Sequence, residues 1–207
     1  MLEYKTIENE ASDFFIEKKS RFIGYACPVK TQEEANAFIS KIKSKHWDAT
    51  HNVSAYVLRE NNIQRCSDDG EPSGTAGVPV LDVILKEGIV DVCVVATRYF
   101  GGTLLGAGGL VRAYSHTSKI ALEAGNIITM AQCSILEANV DYGFYERLNI
   151  LLNDFSANVL NTEFSDSVKI SFSVKETNQS ALEDKLTDIS NGKYKLEYLK
   201  SQFMKAM

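Results

Sequence analysis

The sequence predicts an α+β protein of two domains, residues 1–130 and 131–207, and three observations predict it. Strand-like apolar runs alternate with segments of helical period along the whole chain. Glycine-rich loops, "RCSDDGEPSGTAG" at 65–77 and "RYFGGTLLGAGGL" at 98–110, belong to the first part. From residue 131 short elements follow in the order β-α-β-β-α-β, the ferredoxin-like split βαβ pattern. No Pro/Gly/Ser-rich linker marks the boundary.

The first part opens with "FFIEKKSRFIGYACPV", two strands joined by a turn around Lys19 and Ser20. Thr31 and Glu34 form a capping box, and Ala35, Phe38, Ile39 and Ile42 recur at helical spacing, so a helix runs from Thr31 to near His46. "NVSAYVLRE" and "IQRCS" flank Asn61-Asn62 as a hairpin. After the acidic loop, "AGVPVLDVILKEG" reads as a helix with Pro79 near its first turn and Gly88 as its stop. "IVDVCVVATRYF" is a near-continuous apolar strand of the kind covered on both faces. The second glycine-rich loop leads into the amphipathic helix "VRAYSHTSKIALEAG", ended by Gly125. In the second part "QCSILEANV", "NVLNTEF", "SVKISFSVK" and "KYKLEYLK" are strands, and "YERLNILLNDF" and "SALEDKLTDIS" are helices.

The chain has 207 residues, 44% of them hydrophobic, enough to bury a core in each domain. No run approaches the roughly 18 consecutive apolar residues of a membrane helix. "MLEYKTIENEAS" lacks the apolar stretch of a secretion signal, and a cytoplasmic location is expected. Cys27, Cys66, Cys93 and Cys133 form no C-x-x-C pair, which argues against a zinc site or a disulfide framework. A net charge of −5 excludes a globally basic nucleic-acid binder and leaves room only for a local patch. Nothing signals DNA-specific reading, and the oligomeric state is not readable from the chain.

Asp68, Asp69 and Glu71 crowd three carboxylates together, and such neighbours need a cation, Arg or Lys partners, or N–H donors. Gly70, Pro72, Gly74 and Gly77 shape the backbone, while Ser73 and Thr75 offer hydroxyls ahead of a helix start. Taken singly, each carboxylate reads as a turn or helix cap; taken together, the loop reads as a site. Gly101, Gly102, Gly106, Gly108 and Gly109 permit close backbone approach beside a helix N-terminus that suits an anion. Glycines that merely let the helix pack on the strand explain the pattern equally well. The spacing is not a Walker loop, since Ala107 and Gly108 stand where Lys and Ser/Thr belong, nor is it a dinucleotide fingerprint. Arg98 and Arg112 bracket this loop and are expected to join it to the acidic one, with Arg98 or Arg112 within salt-bridge reach of Asp68, Asp69 or Glu71. His51 gains weight only if the fold brings it to Asp68 or Glu71; His46 and His116 read as structural. No Ser or Cys nucleophile with a paired base emerges from spacing.

Through "SDDGEPSGTAG", "RYFGG" and "LGAGGLVRAY", preceded in order by "KKSRFIGYA" and "DATHN", the chain resembles the IMPACT family in its bacterial YigZ-like form over essentially its whole length. The resemblance implies an N-terminal domain of the ribosomal-protein-S-five domain-2-like type. It also implies a C-terminal ferredoxin-like domain similar to those near the end of translation elongation factor G. The eukaryotic relatives carry an extra domain and act in translational control by binding a partner of a stress kinase. For a bacterial member the resemblance implies a translation- or nucleic-acid-associated role. Many relatives have Lys at the position of Leu104, which implies that an anion site here is one charge weaker.

The favoured function is a non-enzymatic binding protein, without cofactor, that contacts the ribosome, RNA or a translation factor. Its polar surface would be formed by His51, Asn52, Asp68, Asp69, Glu71, Ser73, Thr75, Arg98, Tyr99, Gly101, Gly102, Gly106, Gly108, Gly109 and Arg112. The alternative is a small enzyme acting on a phosphate- or nucleotide-containing substrate, with Asp68, Asp69 and Glu71 holding magnesium and the 101–109 loop holding the anion.

Overall fold

The computed structural model describes residues 2–206. The protein has an α+β architecture in two compact units, residues 4–129 and the remainder. A strand that the sequence pattern does not announce, β1 (Glu3–Ile7), precedes the expected elements.

In the unit of residues 4–129, β2 (Ala11–Glu17) turns into β3 (Ser20–Pro28) through Lys18 and Lys19, both with positive φ. Helix α1 (Gln32–Lys45) is capped by Thr31, whose Oγ1 accepts from the Glu34 N–H at 3.2 Å. The Glu34 carboxylate reaches past the expected Thr31 N–H and accepts from Lys30 N–H at 2.6 Å. β4 (His51–Leu58) and β5 (Ile63–Ser67) flank a turn in which Asn61 and Asn62 are left-handed, a conformation asparagine tolerates well. Helix α2 (Gly77–Lys86) and strand β6 (Val92–Tyr99) follow. Helix α3 (Ala107–Ala124) begins inside the glycine run rather than at Val111. Glycine is a poor helix former, but burial of Leu110, Ala113 and Tyr114 against the sheet outweighs that cost.

The five strands form an antiparallel sheet in the order β2-β3-β6-β4-β5. The central strand β6 is buried along almost its whole length because both faces are covered. Val92, Val94 and Ala96 meet α2 and α3, while Cys93 and Val95 meet α1. α3 lies so close to β3 that a Cβ at Gly24 would stand 2.5 Å from the Thr117 carbonyl oxygen.

The second unit runs through β7 (Ile127–Val140), α4 (Tyr142–Asp154), β8 (Asn158–Phe164), β9 (Val168–Lys175), α5 (Gln179–Ser190) and β10 (Leu196–Lys205). Its sheet order is β10-β7-β9-β8, antiparallel throughout. Within this unit Gln132 N–H donates to the Leu2 carbonyl at 2.8 Å. The alternating residues Val168, Ile170, Phe172 and Val174 all face the core, which Leu148 and Leu152 of α4 and Leu182 and Leu186 of α5 complete. Asp141 caps α4 by accepting from Phe144 N–H, and contacts from Lys193 and Tyr194 hold its carboxyl down at about 2.

Candidate functional site

Strand register starts the site. His51 of β4 and Phe22 of β3 are the sheet neighbours of Arg98 on either side, so the three side chains form one row at the end of the sheet. Their face is the one that α2 and α3 cover. Asn52 and Thr97 point to the other face, where Thr97 Oγ1 donates to Asn52 Oδ1 at 2.7 Å.

Arg98 is 5% exposed, an unusual place for a guanidinium. Its Nη1 donates to Glu71 Oε1 at 2.6 Å, and Tyr114 of α3 donates its hydroxyl to the same oxygen at 2.7 Å. The acidic loop, β6 and the body of α3 are thereby joined through one buried carboxylate, and of the two arginines expected as partners it is Arg98 that reaches it. Arg112 is exposed, forms no ion pair among the described residues, and lines a separate cavity with Phe15, Lys18 and His116. Burial, and then the Glu71 carboxylate, push the Tyr114 phenol far up, so it stays a donor. The Arg98 Nε is buried without an acceptor, a situation that costs about 1–3 kcal/mol.

His51 is brought to this cluster. Its Nδ1 lies 2.8 Å from the Asp69 carbonyl oxygen, which can only accept, so Nδ1 carries the hydrogen and a neutral His51 has its lone pair on Nε2. That Nε2 is 3.8 Å from Glu71 Oε1.

The three carboxylates expected to act together turn to different partners. Asp68 turns to the N-terminus of α2, where its oxygens accept from Gly74, Ala76 and Gly77 N–H at 2.9, 3.1 and 2.7 Å. Partial burial pushes the Asp68 carboxyl up, but these three N–H groups outweigh it and hold the group below its ordinary value. Asp69, at φ 48, accepts from Lys43 Nζ and from Asn52 N–H, both at 2.6 Å. Glu71 points inward to Arg98 and Tyr114. Among the described residues no three His, Cys, Asp or Glu side chains converge as a metal ion requires.

The other expected residues divide by position. Thr75 is buried, its hydroxyl donating to the Pro72 carbonyl at 2.7 Å, whereas Ser73 is exposed. Tyr99 is half-buried in a chain in which Tyr25 meets His46 Nε2 at 2.6 Å, His46 Nδ1 meets Tyr99 at 2.9 Å, and Tyr99 donates to Asp48. Gly101 is a point of contact: an added Cβ would lie 2.0 Å from the Lys19 carbonyl carbon. Gly102, Gly106 and Gly108 are exposed, and Gly109 packs on Leu105.

His51, Glu71, Arg98, Gly106 and Ala107 share a cavity of about 420 Å³, and Thr50, Phe100, Leu104 and Leu110 extend its wall. Sequence reasoning missed Tyr114, although a tyrosine on the buried face of an amphipathic helix calls for a hydroxyl partner. It also missed Phe100, whose ring stands 5.5 Å from the Arg98 guanidinium.

Residues 18–122 match the Impact N-terminal domain, and residues 139–193 match the domain of unknown function DUF1949. IMPACT family member YvyE of Bacillus subtilis is 40% identical over 92% of this chain and 88% of its own. IMPACT family member YigZ of Escherichia coli is 32% identical over 86% of this chain and 89% of its own. Among solved structures, the crystal structure of a hypothetical protein superposes with a TM-score of 0.61 at 28% identity, covering 97% of this chain and 98% of that one. A two-unit α+β chain with this site is thus of the bacterial YigZ-like kind. The chain belongs to the IMPACT family.

Proposed function

We propose that this chain is a non-enzymatic binding protein that works on the translation machinery. The choice of binding over metal-dependent catalysis is supported by one observation: Asp68, Asp69 and Glu71 are each engaged by internal partners, and among the described residues they do not converge on one point as ligands of a cation do. The translation-associated half of the reading rests on the resemblance to the IMPACT family, whose eukaryotic members act in translational control. It includes a ribosomal-protein-S-five domain-2-like domain at 1–130 and a ferredoxin-like domain at 131–207. The antiparallel order β10-β7-β9-β8 with α4 and α5 packed against it supports the second assignment. The candidate surface comprises the exposed members of the two loops around His51, Ser73, Gly102, Gly106 and Gly108.

The test is co-sedimentation of the full chain with ribosomal particles at rising salt. Association that salt weakens is the expected result. Absence from every ribosomal fraction at low salt would overturn the reading.

A further inference from the structure

We propose that the cavity at the N-terminus of α3 is a binding site for a phosphate monoester carried on an apolar group. Four features converge on it. Gly106 and Ala107 line it, and Gly106, at φ 74, has no side chain to cap the helix. The Leu110 N–H is the first to bond back along α3, to Gly106, so the preceding N–H groups of Ala107, Gly108 and Gly109 have no acceptor within the helix. They carry the partial positive charge of the helix end.

The second feature is independent of the helix. Arg98 borders the same cavity at 5% exposure, with its Nε unpartnered. A buried donor without an acceptor beside an open volume is what an oxyanion satisfies. Glu71 also borders the cavity, but its charge is matched by Arg98, so the helix end provides the positive surplus.

The third feature selects among oxyanions. With Nδ1 committed to the Asp69 carbonyl, neutral His51 offers Nε2 as an acceptor, and the Glu71 carboxylate lies beside it. Two acceptors next to an anion site favour a group that carries a proton as well as a negative charge. A phosphate monoester with one P–OH provides both; a plain carboxylate provides only the charge. The fourth is the wall: Phe100, Leu104, Leu105 and Leu110 make one side apolar, and 420 Å³ exceeds what a bare phosphate fills.

Phenyl phosphate is therefore titrated into the ¹⁵N-labelled full chain at constant ionic strength, with inorganic phosphate and phenylacetate as comparison arms. Saturable shifts centred on the amides of Ala107, Gly108 and Gly109 are expected, with phenyl phosphate the tightest of the three. Ala107→Asp places a carboxylate in the first turn of α3, where it favours the helix, so the variant should melt no lower than the parent and bind at least tenfold more weakly. The proposal is overturned if no probe saturates, if phenylacetate binds as well as phenyl phosphate, or if Ala107→Asp leaves binding unchanged. Ribosome co-sedimentation does not bear on these outcomes, so the site and the translation-associated reading fail separately.

Discussion

Removing the charge of Glu71 probes how the acidic loop is joined to β6 and α3. Glu71→Gln keeps the side-chain shape and an acceptor for the Tyr114 hydroxyl, but leaves the 5% exposed Arg98 without a counter-charge. Two unit charges about 4 Å apart attract by about 4 kcal/mol at an effective dielectric of about 20. Breaking a buried pair by removing one partner costs about 3–5 kcal/mol. Because Arg98 Nη1 can still donate to an amide oxygen, Glu71→Gln belongs at the low end, about 3 kcal/mol. Arg98→Met should cost a similar amount. The double variant, which strands neither charge, should fall short of the sum by about 2 kcal/mol. Urea unfolding followed by circular dichroism measures the totals, and amide exchange along Val94–Thr97 of β6 localises them. A cost below about 1 kcal/mol for Glu71→Gln, or strict additivity in the double variant, would refute the claim that this pair holds the loop in place.

Asp68→Ala should lower stability by about 2 kcal/mol, because three N–H groups at the start of α2 lose their acceptor, and Asp68→Asn should recover part of it in thermal melts. The folded Asp68 carboxyl lies below its ordinary value, so its contribution to stability is complete above the unfolded value of about 3.9 and disappears as pH falls through the folded value. Carbon-13 titration of the carboxyl checks this, and a midpoint above about 3.9 would contradict it. Gly101→Ala should destabilise by more than about 2 kcal/mol, since the new Cβ meets backbone at Lys19 that cannot swing aside. Magnesium should leave the melting temperature where it is; a rise that Asp68→Asn with Asp69→Asn abolishes would favour the chelation reading.

The elements with a strong period were legible in the chain. The Thr31–Glu34 cap, the alternation of Val168, Ile170, Phe172 and Val174, and the doubly buried β6 depend on local spacing, and spacing is what a sequence displays. β1 was not legible, because its five residues carry no clear alternation. The start of α3 was hidden for a related reason: glycines 108 and 109 speak against a helix locally, and only the buried Leu110, Ala113 and Tyr114 reverse that. In the site, charge balance pointed correctly to an arginine partner for the acidic loop. The choice between Arg98 and Arg112 needed the register, which sets Arg98 in the same row as His51 and places Arg112 on another surface.

Asp68, Asp69 and Glu71 lie together in sequence and turn to different partners, and the backbone explains why. A chelating loop must turn its oxygens toward one point. Here Asp69 and Gly70 are both left-handed, at φ 48 and 87, and the Glu71 N–H bonds back to the Asp68 carbonyl at 3.0 Å, closing one tight turn over the three carboxylates. Asp68 is sent back to α2, Asp69 sideways to Lys43 and the edge of β4, and Glu71 down to Arg98. The mutual repulsion that made the cluster look like a site is relieved by three separate sets of donors. Of these the Lys43 contact is the weakest, since 44% of that side chain is exposed and solvent screens the pair. The Asp68 contacts tie the loop to the adjacent start of α2, and the Glu71 contacts tie it to β6 and α3, which are distant in sequence, so the acidity of the loop serves to fix these three elements to it. The cavity bordered by Arg98 and the start of α3 is a by-product of that arrangement, and the unpartnered Nε of Arg98 belongs to a residue on its border.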